Sequence, residues 1–184
     1  MRWILVGTAA IWVALELRQS ITHRPEGVRA GWRSEVLFRL VVAVGAIGAG
    51  VLANGAPSAT IGPAVVVDWI GLVVFWGGIS LRLWSFHTLG RYFTLTVQTS
   101  HDQPVITSGP YRLIRHPGYA GLLLVIIAVG LFIGNWLSLV FLVVVTAGGL
   151  VFRIRVEEQA LTRDLGDSYR DYAATHKRLV PFVW

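Results

Sequence analysis

Residues 107–121, TSGPYRLIRHPGYAG, interrupt a chain that is otherwise dominated by long apolar runs. The first four, TSGP at 107–110, are turn-forming residues that cannot continue a membrane-spanning helix. Pro117 can occupy the first turn of a helix, because its missing N–H would have no partner there anyway. An apolar segment follows directly. The stretch therefore predicts a turn that leads into a helix.

The composition of the 184-residue chain indicates one domain in a membrane. It is 54% hydrophobic and 14% charged, whereas charged residues make up about a quarter of soluble domains. The absence of cysteine excludes disulfides, thiolate nucleophiles and cysteine-based metal sites. The net charge of +6 comes from arginines between apolar runs, which is typical of the positive-inside pattern. We therefore expect membrane lipids, and no nucleic acid, as partners.

Five apolar segments follow one another along the chain. The last two are separated only by GNW, which suggests a helical hairpin, and a spanning helix needs about 20 residues. We predict an all-α integral membrane protein with about five transmembrane helices. The segments lie at about 3–18, 36–54, 64–86, 119–133 and 136–152.

Arginine-rich and uncharged loops alternate between these segments. Residues 18–39, 87–118 and the tail from 153 carry the basic side chains, whereas 55–63 and GNW carry no charge. Basic loops stay on the cytoplasmic side. The pattern predicts an N-terminus outside and a C-terminus inside, and the Arg- and Ala-rich composition favours a bacterial inner membrane.

Glycines recur within the apolar segments, and the run GAIGAG faintly resembles a dinucleotide-binding loop. No strand is predicted before it, so we interpret these glycines as sites of close helix packing. They stand at positions 45, 48, 50, 77, 78, 148 and 149.

The turn at 107–121 brings polar side chains to the start of a helix. Free backbone N–H groups and the helix dipole favour an anion or carboxylate there. Arg112 and Arg115 add positive charge, and His116 and Tyr119 flank Pro117. Each arginine is also explained as a membrane anchor, and each ring as a loop or interface residue, but together they favour a site.

A second polar cluster, RIRVEE at 153–158, closes the fifth apolar segment. Arg153 and Glu157 share a helix face, and Arg155 and Glu158 are also neighbours on it. Solvated ion pairs are the simpler explanation. Polar groups at the end of a membrane helix are costly and tend to be functional, so we expect an otherwise unpaired Arg153 to await an anionic partner.

These motifs resemble those of the isoprenylcysteine carboxyl methyltransferase family. The resemblance covers roughly 68–184 and rests on LGRYFT, GPYRLIRHPGYAG, EEQALTRDLGDSYRDY and RLVPF. It implies a membrane enzyme that transfers a methyl group from S-adenosylmethionine to a lipophilic small-molecule or prenylated acceptor, with a cytoplasmic C-terminal helical cofactor site. It implies N-terminal transmembrane helices at 1–56, for scaffold and substrate access, and a methyltransferase core at 57–184.

The same resemblance implies roles for individual residues. Arg153 would face the acceptor carboxylate and act as the catalytic residue, and no metal is implied. The cofactor would be bound by Gln98, Gln103, Val105, Ile106, Tyr111, His116, Pro117, Gly118, Tyr119 and Glu157. The chain departs from the family pattern at Gln103, where a histidine is common, and at Val156, where eukaryotic members carry a third glutamate.

Three other functions remain open at this stage. A phospholipid amine N-methyltransferase would need a base to deprotonate the amine, a role for His116, Glu157 or Glu158. An NADPH-dependent membrane reductase would need basic contacts for its extra phosphate and usually more spans. A non-enzymatic membrane protein would bind no nucleotide. The residues alone identify neither the methyl acceptor nor the oligomeric state.

Overall fold

The computed structural model describes residues 32–90, 104–181 and 183–184. This part of the chain forms four α-helices, with a short 3₁₀ turn before the third. Helix α3 packs between α2 and α4, and α1 lies along α4. The helices are α1 (Trp32–Gly55), α2 (Ala64–Leu89), α3 (Pro117–Ile133) and α4 (Trp136–Thr175), and the 3₁₀ turn is Gly109–Arg112.

Helices α1, α2 and α4 are each long and apolar enough to cross a membrane. Helix α3 is apolar throughout but has only 17 residues. The all-helical prediction is confirmed, and its last four segments correspond to the four helices. The first predicted segment, 3–18, lies outside the described residues, so the number of five spans stays a prediction.

Apolar side chains fill the contacts between helices and also cover the outer surface. Phe75 and Ile79 of α2 pack on Val125 and Ala128 of α3. On the outside of the described part of the chain, apolar residues are exposed, among them Val73 at 73%. A surface this apolar is expected where lipid is the solvent.

One glycine pair sets the spacing between α2 and α3. A Cβ on Gly78 would lie 2.6 Å from the Gly121 carbonyl oxygen, and a Cβ on Gly121 would lie equally close to the Gly78 oxygen. No side chain fits in that gap, which confirms close packing at Gly78. At its neighbour Gly77, a Cβ would meet nothing within 4 Å.

The loops collect at two opposite ends of the helices. At the neutral end, formed by 56–63 and 134–138, the Ile61 N–H donates to the Gly134 carbonyl and the Trp136 N–H to the Ala59 carbonyl. The charged end is formed by 33–39, 104–119 and 153–178. The alternation of uncharged and basic loops in the sequence thus corresponds to a real separation in space.

Helix α4 continues well beyond its apolar part and then turns back. It is kinked at Gly166, whose φ of 59° and ψ of −133° are not helical. After α4 the backbone returns to the turn before α3, where the N–H groups of Arg115 and His116 donate to the carbonyls of Lys177 and Arg178. The C-terminal segment therefore docks on the protein at the charged end.

Candidate active site at the charged end

Glu158 joins three segments of the charged end. Its Oε1 lies 2.9 Å from Arg115 Nη1 and 3.2 Å from His116 Nε2. Its Oε2 accepts a hydrogen bond of 2.8 Å from Arg178 Nε. A buried carboxylate with cationic partners on both oxygens fixes the turn before α3 against α4 and the C-terminal segment. The simpler explanation by solvated ion pairs is wrong for Glu158, which is buried and pairs with residues other than the exposed Arg155.

A second hydrogen-bonded chain runs beside it through Arg153, Tyr119 and Glu157. Arg153 Nε donates to the Tyr119 hydroxyl at 2.6 Å, and that hydroxyl donates to Glu157 Oε2 at 2.7 Å. The i,i+4 spacing does bring Arg153 and Glu157 to one face, as predicted. Tyr119, in the first turn of α3, contacts both residues and links them through its hydroxyl group.

Arg153 already has an anionic partner in the protein. Its Nη2 forms an ion pair with Glu35 Oε2, and Glu35 Oε1 accepts from Arg39 Nε at 2.8 Å. The expectation that Arg153 has no anionic partner within the protein is therefore wrong. The reason lies in tertiary packing, because α1 places Glu35 in its first turn directly against the end of the apolar part of α4.

Hydrogen bonds from α2 and α4 anchor the 3₁₀ turn and the start of α3. The Tyr111 hydroxyl lies 2.6 Å from Ser85 Oγ, and the Tyr172 hydroxyl donates to the Tyr111 carbonyl at 2.7 Å. Arg82 donates to the Gly118 carbonyl at 3.0 Å. Burial of the phenol raises the pKa of Tyr111 well above its ordinary value, although its bond to Ser85 opposes the shift. The Tyr111 phenol is therefore neutral at physiological pH.

The structure brings most of the predicted site residues together. Tyr111 lies in the 3₁₀ turn, and His116, Pro117, Gly118 and Tyr119 form the start of α3. Of these residues, Tyr119 bonds both Arg153 and Glu157, and His116 contacts Glu158. His116 is the N-cap of α3 and stacks on Tyr119, with ring centroids 5.7 Å apart. Two further predicted residues, Val105 and Ile106, are half-buried in the segment before the 3₁₀ turn. Gln98 and Gln103 lie outside the described residues.

Sequence reasoning missed three residues of the charged end. It missed Glu35, whose one signal was a single carboxylate at the start of an apolar segment. It did not assign Glu158 its role as the link between segments. It also missed Tyr169, which is buried and whose hydroxyl has no hydrogen-bond partner among the described residues.

The residues at this end fit S-adenosylmethionine as the cofactor. Within the described part of the chain, Glu157 accepts one hydrogen bond, at Oε2. Its half-buried Oε1 can therefore accept from an amino or hydroxyl group of a ligand. The Tyr169 hydroxyl is a second polar atom suited to a ligand, and the stacked His116 and Tyr119 rings offer aromatic surface to a cation.

Fold and site together define an all-helical protein with membrane-spanning helices and a charged site at one end. Residues 69–163 match the model of the isoprenylcysteine carboxyl methyltransferase (ICMT) family. This stretch is longer than half of the chain, and the chain belongs to that family.

Two curated plant proteins illustrate the similarity. The chain is 34% identical over 119 residues to a protein of Oryza sativa subsp. indica named "Probable protein-S-isoprenylcysteine O-methyltransferase", covering 64% of this chain and 62% of that protein. It is 33% identical over 119 residues to protein-S-isoprenylcysteine O-methyltransferase A of Arabidopsis thaliana, covering 64% of this chain and 60% of that protein. The match thus spans about three fifths of the length of these relatives.

A solved structure of the eukaryotic intramembrane Ras methyltransferase ICMT shares the fold. It superposes with a TM-score of 0.62 at 26% identity, covering 80% of this chain and 53% of that chain. The matched family region starts at residue 69. Helix α1, which supplies Glu35 to the site, lies outside that region.

Proposed function

We propose that this protein transfers a methyl group from S-adenosylmethionine to the carboxylate of a lipophilic acceptor, such as a prenylated cysteine. The proposal rests on family membership and on the charged end of the helices. One observation carries the choice of a carboxylate acceptor. The guanidinium of Arg153, only 5% exposed in its side chain, holds a carboxylate in this structure, that of Glu35.

A carboxylate acceptor demands little acid–base chemistry from the protein. When bound, S-adenosylmethionine supplies an electrophilic methyl group that a carboxylate oxygen can take without any proton transfer. The work left to the protein is alignment and electrostatic stabilisation. Arg153 can hold the acceptor carboxylate through a fork of parallel N–H donors.

The cofactor side of the site is proposed to lie around Glu157. Its carboxylate is oriented by the Tyr119 hydroxyl, which is oriented in turn by Arg153. In this chain of bonds one hydroxyl separates Arg153, proposed to bind the acceptor, from Glu157, proposed to bind the cofactor. Tyr119 would keep the two groups in register. His116 supports the arrangement through its stacking on Tyr119 and its contact with Glu158.

An apolar groove beside Arg153 supports a lipophilic acceptor. The groove runs between α1 and α4 and has a volume of about 310 Å³. Its lining includes Phe38, Val41, Gly148 and Phe152. The ring of Phe38 lies 5.9 Å from Arg153 Cζ, so Phe38 lines the groove and also neighbours the guanidinium. An apolar tail in the groove would leave its carboxylate at the site.

We also propose that the charged end faces the cytoplasm, in a bacterial inner membrane, with the N-terminus outside. The support is the clustering of basic loops at that end and of uncharged loops at the other. Residues 1–56 are proposed as a scaffold for acceptor access and 57–184 as the methyltransferase core. Helix α1 fits the first role, since it forms one wall of the groove.

Replacing Arg153 tests the acceptor chemistry. We expect Arg153→Ala to lower methyl transfer to an S-prenylated cysteine by at least about a hundredfold, the cost of losing about 3 kcal/mol of oriented charge. Cofactor affinity should stay within about threefold. Arg153→Lys should rescue only part of the activity, because a point charge cannot replace the guanidinium fork.

The assay measures labelled methyl transferred to two acceptors, an S-prenylated cysteine and phosphatidylethanolamine. Arg155→Ala is the matched control, because it removes an exposed arginine from the same helix two residues away. Base-labile label on the cysteine, lost only in the Arg153 variant, supports the ester product. Label on phosphatidylethanolamine alone, insensitive to Arg153, would establish amine methylation and overturn the proposal.

A further inference from the structure

We propose that Glu35 competes with the acceptor carboxylate for Arg153, and so sets the affinity of the site for its acceptor. The inference rests on the carboxyl methyltransferase function proposed above. It adds a residue from α1, outside the family region, to the acceptor side of the site. The expected ligand is an anionic lipophile whose carboxylate displaces Glu35 from the guanidinium.

The first argument is the position of the Glu35 carboxylate. Its Oε2 pairs with Arg153 Nη2, and the side chains are 14% and 5% exposed. A carboxylate acceptor needs the same kind of contact with the same guanidinium. With Glu35 in place, an incoming anion meets a guanidinium whose charge is already partly neutralised, so less Coulomb attraction is left for it.

The second argument is that Glu35 has a place to go. Its other oxygen, Oε1, accepts from Arg39 Nε at 2.8 Å, and the Arg39 side chain is 61% exposed. Residues four apart on a helix lie on one face, so this bond needs no help from α4. Glu35 can leave Arg153 and keep a partner in Arg39, which lowers the cost of displacement.

The third argument is the location of the apolar groove. Glu35 and Phe38 are three residues apart on the same face of α1, and Phe38 both lines the groove and lies over Arg153. An acceptor whose tail occupies the groove would present its carboxylate where Glu35 meets Arg153. An uncharged lipid in the groove would leave the Glu35–Arg153 pair intact, so the competition selects for anionic lipophiles.

Two substitutions on α1 should shift acceptor affinity in opposite directions. Glu35→Gln keeps the shape but removes the competing charge, and should lower the KM for an S-prenylated cysteine roughly five- to tenfold. Arg39→Gln removes the alternative partner of Glu35, and should raise the same KM roughly two- to threefold. In both variants kcat and the KM for S-adenosylmethionine should stay within about twofold.

Matched controls are available on α4. Asp167 and Arg170 form an exposed ion pair one helical turn apart, away from Arg153. Asp167→Asn and Arg170→Gln therefore remove the same charges and should leave both KM values unchanged. Should Glu35→Gln fail to fold, Arg39→Gln still decides the matter, because its exposed side chain contributes little to packing and the KM must rise.

The outcomes separate this inference from the proposed function. If wild type transfers methyl but Glu35→Gln leaves KM unchanged, or raises KM and lowers kcat, Glu35 only orients Arg153 and the inference is overturned alone. If Arg39→Gln leaves KM unchanged, the displacement of Glu35 towards Arg39 is overturned. If the wild-type protein binds S-adenosylmethionine but methylates no carboxylate, the proposed function fails and this inference fails with it.

Discussion

The two ends of the helices are held together by different chemistry. At the neutral end, Asn135 caps α4 by accepting from the Ser138 N–H at 3.0 Å, and its amide donates to the Ala56 carbonyl at 2.7 Å. At the charged end, Glu158 and Arg153 are buried among carboxylates, cations and rings. Both ends hold loops against helices, but only the charged end uses buried charged side chains to do so.

Buried charge is a poor way to gain stability. Removing ions from water costs several kcal/mol each, and apolar replacements of buried ion pairs are often as stable. The neutral end shows that this fold can close its loops with an amide and a few carbonyls. The buried charges at the other end therefore support the proposed function, in which charge aligns a carboxylate acceptor with a cationic cofactor.

The largest expected difference between the ends is their accessibility from outside the cell. The chain has no cysteine, so Ser58→Cys at the neutral end and Ser108→Cys at the charged end each introduce a single thiol. Both serines are exposed. We expect an impermeant thiol reagent to label Cys at 58 in intact cells, and at 108 only after the membrane is opened. The reverse pattern would invert the proposed orientation.

Next in size is the effect of removing charge from the charged end. Glu158→Gln should lower the free energy of unfolding by about 3–5 kcal/mol, because it leaves the cations of Arg115 and Arg178 beside a neutral group. It should also expose the C-terminal segment to proteolysis. Chemical denaturation in detergent measures the first effect, and limited digestion the second.

Its neighbour Glu157 is the control for that experiment. Glu157→Gln removes an equal charge that carries one described hydrogen bond, from Tyr119. It should cost less than about 1 kcal/mol of unfolding free energy, while weakening S-adenosylmethionine binding. Equal losses of stability in the two variants would contradict the proposed division between a structural Glu158 and a ligand-binding Glu157.

The smallest effect is expected at the neutral end. Asn135→Ala should cost about 2 kcal/mol, since it removes a helix cap and leaves the half-buried Ala56 carbonyl without its partner. Asn54→Ala removes an exposed hydrogen bond from the side-chain amide to the Gly50 carbonyl. It should change the free energy of unfolding by no more than about 0.5 kcal/mol. Methyl transfer per folded molecule should be unchanged in both, and a loss of transfer in Asn135→Ala would mean that the two ends are coupled.

Local sequence determined the helices and their order. The apolar runs of near-spanning length predict the helices α1 to α4. The turn-forming residues at 55–63 and 107–117 and the short turn before Trp136 predict where these helices are interrupted. Each signal can be read from residues that are neighbours in the sequence. The i,i+4 spacing of Arg153 and Glu157 was equally readable, since helix geometry fixes which residues share a face. The alternation of basic and uncharged loops likewise predicted which loops share an end.

Tertiary structure decided which charges meet. Glu35 is more than a hundred residues from Arg153 in sequence, and Glu158 selects Arg115, His116 and Arg178 over the adjacent Arg155. No periodicity encodes these choices, because they depend on how α1 and the C-terminal segment pack against α4. In a low-dielectric environment each buried charge must find a partner, and only the packed helices determine which partner lies within reach.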